Sequence, residues 1–176
     1  CYEQVITDLK ASVDLLPLTP VHKTRPSKLG ALAMLAKVYL LMEKYDQALT
    51  YTEEYLNSQT ELLDFATLNT SATLPFPTLD VGNKEIIFYA GPISYTLLSF
   101  GNLRINEALF AKYRDNDLRK AAFFRPNADG TKSFKGRYTG TVGLFSGLAT
   151  NEIMLINAEC LVRVGRWQEA GDVLNK

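Results

Sequence analysis

Ala36-Lys37-Val38-Tyr39-Leu40-Leu41-Met42-Glu43-Lys44-Tyr45-Asp46-Gln47-Ala48 and Ala158-Glu159-Cys160-Leu161-Val162-Arg163-Val164-Gly165-Arg166-Trp167-Gln168-Glu169-Ala170 carry one pattern twice. Ala36, Tyr45 and Ala48 recur as Ala158, Trp167 and Ala170, all at an offset of 122 residues. In both stretches an apolar helical run ends, a basic residue and an aromatic follow, and an alanine lands three positions later. Small residues let two helices approach closely, and the aromatic seals the turn between them. The chain therefore encodes two helical hairpins with a long, unrelated stretch between them.

Working outward, residues 2–16 place Tyr2, Val5, Ile6, Leu9, Val13 and Leu16 on one helical face. Pro17 and Pro20 stop that helix. After a loop from Leu18 to Arg25, Pro26-Ser27 open a second helix that ends near Glu43. Its apolar run, Leu29 to Met42, is broken only by Gly30 and Lys37 and reads as a helix buried on all sides. It is too short to span a bilayer, which takes about 18 or more apolar residues. Asp46 is the expected N-cap of a third helix reaching Asn57, with Ala48, Leu49, Thr52, Tyr55 and Leu56 inward. The last hairpin starts near Thr150, turns at Gly165-Arg166 with Gly165 just past the helix end, and runs to Lys176. The fold class is mainly α, of tetratricopeptide-like hairpins in an antiparallel array. Residues 1–57 and 150–176 form the helical portions of a single domain, and 58–149 a long, mostly irregular insertion. The second hairpin ends so soon that the chain reads as an excerpt of a longer protein.

Within the insertion, Lys84 to Tyr89 reads as a short strand and Gly91-Pro92 as its break. Asn106 caps a short helix through Tyr113, and Asp115 to Phe124 suggests another. Asn127-Ala128-Asp129-Gly130, between Phe124 and Phe134, predicts a hairpin. Gly136 to Gly147 is glycine-rich and irregular.

Composition narrows the function. Apolar content of 47% with 11% aromatics fits a globular chain. The 19 basic residues match the 19 acidic ones, which argues against nucleic acid as a partner. His22, the single histidine, sits in a loop; His-rich metal sites are excluded and a catalytic triad is not expected. Cys160 falls on an apolar helix face, and Cys1 reads as a helix residue or the edge of the excerpt. Asp115-Asn116-Asp117 opens like a calcium loop, but Arg119 stands where an oxygen ligand is needed. Residues 112–137 are locally basic, and the interleaved Tyr113, Phe123, Phe124, Phe134 and Tyr138 could stack on flat ligands. Neither cofactor nor metal is expected.

The ordered motifs resemble the SusD/RagB family of surface glycan-binding lipoproteins. Tyr2 to Lys10 with Leu15-Leu16-Pro17 is similar to the family's helix before its first well-formed repeat. Arg25 to Lys28, Ala31 to Leu41 and Tyr45 to Ala48 resemble that repeat. Asn83 to Phe88, Asp117-x-Arg119 and Glu152 to Glu159 follow in order, with Met154 where the family usually has tyrosine, and Glu169-Ala170 and Leu174-Asn175 continue the series. The resemblance implies a non-catalytic protein on the outer-membrane surface. It would capture an oligosaccharide or polysaccharide and pass it to a SusC-like TonB-dependent outer-membrane transporter. Contact with the membrane would run only through a lipid anchor, which this sequence does not include. The alternatives are a helical-repeat scaffold for a protein partner with no sugar role, and a hydrolase with dispersed carboxylates. Ligand contacts are expected from insertion aromatics outside any helical stripe, Tyr89, Tyr95, Phe100 and Tyr138, with Arg137 as a polar neighbour. Trp167, in a repeat turn, is assigned to packing.

Overall fold

Ser27 starts the central helix: its hydroxyl accepts the Gly30 N–H at 3.1 Å, pairing a donor that a helix start leaves free. The computed structural model describes residues 1–79, 82–91 and 103–176. The elements run α1 (Tyr2–Leu15), α2 (Lys28–Leu41), α3 (Tyr45–Leu56), β1 (Ile86–Phe88), α4 (Glu107–Phe110), α5 (Leu118–Phe123), β2 (Phe124–Pro126), β3 (Lys132–Phe134), β4 (Leu148–Ala149), α6 (Thr150–Arg163) and α7 (Trp167–Leu174). A 3-10 turn occupies Phe65–Thr67. They divide into a helical unit (Cys1–Leu62, Lys84–Ala90 and Gly147–Lys176) and a second unit (Leu63–Asn83 and Gly91–Ser146).

In the helical unit, α2 buries Leu32, Ala33, Leu35 and Ala36 completely or nearly so. Its burial is not all-round, because Met34 and Leu41 face solvent. Part of the expected α1 stripe packs: Ile6, Leu9, Val13 and Leu16 are partly buried, while Tyr2 and Val5 stay exposed. α3 begins at Tyr45, so Asp46 is a first-turn residue and not the cap; Lys44 holds the cap position without a side-chain bond. An acidic residue in the first turn still complements the helix dipole.

α3 packs on both α2 and α6, so the two hairpins stack although sequence separates them widely. Ala36, Ala48, Ala158 and Ala170 are all buried. Two polar pairs cross from α3 to α6: Tyr55 Oη and Thr150 Oγ1 lie 2.8 Å apart, and Asn157 Nδ2 donates to Thr52 Oγ1 at 2.8 Å. β1 pairs antiparallel with β4, Ile86 opposite Ala149 and Phe88 opposite Leu148. The Thr150 N–H donates to the Glu85 carbonyl at 2.8 Å, tying the start of α6 to the β1 strand.

The two hairpin turns are built alike. After α6, Gly165 (φ 84°) lets the Arg166 N–H reach the Leu161 carbonyl at 2.8 Å and its own N–H reach Val162 at 3.1 Å. After α2, Lys44 bonds Tyr39 and Glu43 bonds Leu40, both at 2.9 Å, with Glu43 held at φ 56°. One turn uses glycine for the left-handed position and the other forces a glutamate into it. The aromatics that follow differ. Tyr45 packs against the core, and the Arg163 guanidinium lies 5.2 Å from its ring centre. Trp167 is 68% exposed, which corrects its assignment to packing. Tyr45 is covered because α6 belongs to a hairpin stacked on its own; no described element covers Trp167 in the same way.

Glu43→Gly should stabilise the chain by about 0.5–1 kcal/mol, and Gly165→Ala should destabilise it by about 1–2 kcal/mol, both read by urea denaturation. Burial pushes the Tyr55 phenol up to about 12, outweighing its hydrogen bond to Thr150, while the unfolded chain titrates near 10.0. Its contribution is therefore complete below pH 10 and is lost as pH rises through 12. Tyr55→Phe should flatten that alkaline loss of stability in denaturation curves taken on either side of pH 10.

Candidate functional site

The second unit is organised by rings. Phe65, Phe76 and Phe123 meet in a triangle, with Phe65 edge-on to Phe76 (5.6 Å) and to Phe123 (5.7 Å), and Phe76 stacked on Phe123 (5.9 Å). Edge-to-face and offset geometries at these separations suit the ring quadrupoles. Phe124 gathers Phe110 (5.4 Å) and Tyr113 (5.1 Å) on its own side. β2 and β3 form the expected hairpin, Phe124 opposite Phe134 and Pro126 opposite Lys132. Asn106 caps α4 by accepting from Ala108 and Leu109, and Asp117 caps α5 by accepting from Arg119.

The chain after β3 is held at several points. Buried Lys135 sends its ammonium to the Thr70 and Ala72 carbonyls, and its N–H donates to Phe123 at 2.7 Å. Asn83, fully buried, donates its amide to the Tyr138 carbonyl at 2.7 Å. Gly140 turns the chain at φ 66°, and a Cβ there would fall 2.5 Å from the Phe76 carbonyl oxygen. Buried Thr139 donates to the Gly143 carbonyl at 3.1 Å. Residues 137–145 are thus a pinned loop, although its composition reads as irregular.

That loop and β3 form a cleft of about 170 Å³ lined by Phe134, Gly136, Arg137, Tyr138, Gly143, Leu144 and Phe145. The Tyr138 ring is tilted against Phe76 (5.6 Å) and Phe145 (5.3 Å). It is therefore fixed from two sides and half-buried. Arg137 is buried along the wall, and desolvation lowers its pKa. Phe134 stays exposed. Pre-set aromatic faces in a largely apolar cleft suit a flat ligand with an apolar face.

Of the expected contact residues, Arg137 and Tyr138 are brought together in this cleft. Tyr89 belongs to the helical unit, where its N–H donates to the Lys23 carbonyl at 2.7 Å. Tyr95 and Phe100 lie outside the described residues. Phe145 was missed. It satisfies the same criterion, an aromatic in an irregular stretch, and that signal could have found it. Leu144 carries no signal at all.

Features that sequence set aside as chemistry have structural partners. Asp117 forms a two-point ion pair with Arg119 (Nη2 to Oδ2, 2.7 Å), which holds its carboxyl below the usual range. Lys120 pairs Asp115 at 2.7 Å and likewise lowers its pKa. Burial pushes the Cys160 thiol up to about 11, so the thiolate is disfavoured. Among the described residues, no group of three or more His, Cys, Asp or Glu could hold a metal ion. No helix among them is long and apolar enough to cross a membrane.

This architecture is that of a SusD-like helical fold. Residues 1–40 match a SusD-like family model described as "Starch-binding associating with outer membrane". The chain superposes on a SusD-like carbohydrate binding protein from Bacteroides vulgatus ATCC 8482 with a TM-score of 0.74 at 22% identity, covering 99% of this chain and 41% of that one. A SusD superfamily protein from Bacteroides thetaiotaomicron VPI-5482 matches at 0.73 and 16%, covering 99% and 45%. A SusD-like protein from Bacteroides fragilis NCTC 9343 matches at 0.72 and 19%, covering 99% and 51%. The resemblance drawn from the ordered motifs is thereby borne out, and at these identities the superpositions show the fold. The chain spans about half, or less, of each of these structures. No curated protein matches it.

Gly140→Ala tests the pinned loop. Strain at that backbone position should cost about 1–3 kcal/mol, and near-ultraviolet circular dichroism should lose the signal of the fixed Tyr138 and Phe145 rings while far-ultraviolet helicity persists.

Proposed function

We propose that this chain is part of a non-catalytic glycan-binding protein of the outer-membrane surface, one that captures oligosaccharide and delivers it to a TonB-dependent transporter. The observation that carries the reading is the cleft in which Phe134, Tyr138 and Phe145 stand beside Arg137. Sugar rings present apolar C–H faces, and this wall offers aromatic faces to stack against them, with Arg137 buried beside them. Support also comes from the family match at residues 1–40 and from the name of the Bacteroides vulgatus carbohydrate binding protein. Delivery to a transporter and the lipid anchor rest on the family resemblance.

A second reading, a helical scaffold for a protein partner, is favoured by one observation: Leu155, Trp167 and Leu174 are exposed on α6 and α7. Exposed apolar side chains on helix faces suit helix-groove recognition.

Affinity electrophoresis against a panel of polysaccharides separates the two. Tyr138→Ala and Phe145→Ala should each weaken retardation by the cognate glycan by roughly tenfold, equivalent to about 1.4 kcal/mol, with the melting temperature held. Retardation unchanged in both variants removes the cleft as the sugar site. Appearance of shorter products would point to a hydrolase.

A further inference from the structure

Lys23 lies in the loop between α1 and α2, where its carbonyl is fixed by the Tyr89 N–H at 2.7 Å. Lys23 is half-buried and is one of the residues lining a second cavity, of about 110 Å³, within the helical unit. Leu18, Leu29 and Ile87 give this cavity apolar walls, and Thr19, Ser58 and Gln59 bring polar groups to it. None of its lining residues lines the aromatic cleft.

Its charge is one-sided. Among the described residues, no aspartate or glutamate lines it. Lys84, also in the lining, directs its ammonium to Glu61 at 3.2 Å. The Tyr55 hydroxyl is engaged with Thr150, and the Gln59 amide donates to the Lys84 carbonyl at 3.1 Å. Among the described residues, Lys23 Nζ has no ion pair and no hydrogen bond. Burial lowers its pKa, as expected of a cation withdrawn from water without a counter-charge. A half-buried ammonium of this kind is stabilised most by an anion placed against it. One positive charge matches one negative charge. The small volume and apolar walls favour a short body over a bulky, heavily hydrated dianion.

We propose that this cavity binds a small carboxylate, with Lys23 as its charge partner. The carboxylate could arrive as a free short-chain acid or as the acid group of a uronic sugar. Both present the same planar oxygen pair.

The test measures the melting temperature of the chain in rising sodium acetate, sodium glucuronate or sodium phosphate, with sodium chloride holding ionic strength constant. Acetate should raise the melting temperature of the parent and of Lys23→Arg. In Lys23→Met and Lys23→Gln the half-maximal concentration should be about tenfold higher, the loss of one charge-assisted hydrogen bond. Using two neutral variants keeps the comparison available should one fail to fold. A matching glucuronate effect assigns the carboxylate to an acidic sugar, and an effect of acetate alone assigns it to a free acid. The proposal is overturned if neither carboxylate shifts the parent, if the neutral variants respond as the parent does, or if phosphate acts at lower concentration than acetate. Tyr138→Ala should respond to carboxylate as the parent does, so this test and that of the glycan cleft fail separately.

Discussion

The contact between α3 and α6 is the constraint on which the helical unit depends. Neither hairpin could bury both its faces alone, and each supplies the other with a missing wall. The contact is close because alanines occupy buried positions in all four helices of the two hairpins. It is specific because two buried polar pairs cross it. Tyr55 with Thr150 and Thr52 with Asn157 join residues 95 and 105 positions apart. Apolar packing alone tolerates a helix sliding by a turn or rotating by a residue. A buried amide or hydroxyl that loses its partner costs about 1–3 kcal/mol, so such slips are penalised. Small residues set the distance, and the polar pairs set the register.

The same contact manages the long stretch between the hairpins. The chain leaves the helical unit after Leu62, returns for Lys84–Ala90, leaves again and re-enters at Gly147. The brief return supplies β1, which pairs with β4 immediately before α6. One very long excursion thus becomes two shorter ones. The entropy of closing loops grows only logarithmically with length, so the division itself changes little. What matters is that both ends of the larger excursion are fixed by ladder hydrogen bonds and by Glu85 to Thr150.

The helices were legible because their signal is periodic and repeated. Ala36, Tyr45 and Ala48 recur at one offset, and Ser27, Asn106 and Asp117 all act as caps where local rules place them. The hairpin at Phe124 and Phe134 followed from its turn residues. Other features depend on what lies across space. β4 has only two residues and no alternation to betray it, and its partner is some sixty positions away. Trp167 and Tyr45 are equivalent in sequence but differ in cover, which no local pattern encodes. In the cleft, Arg137 and Tyr138 stood out as residue types in an irregular stretch. The pins that fix them, Asn83, Thr139 and Lys135, look like ordinary polar residues in the sequence.

Within the proposed reading, the cleft's two kinds of wall have different consequences for selectivity. Aromatic faces accept any ring with an apolar side, so Phe134, Tyr138 and Phe145 would give affinity with little discrimination among sugars. A guanidinium is a planar fork whose donors match acceptors only at set spacing and angle. In a long exposed side chain that geometry is blurred by rotamer freedom. Arg137 is buried, so its fork is held in a narrow range of directions. Under that reading, discrimination among glycans would rest on the fixed direction of Arg137 and on the backbone that holds residues 137–145, with the rings supplying the less selective part of binding.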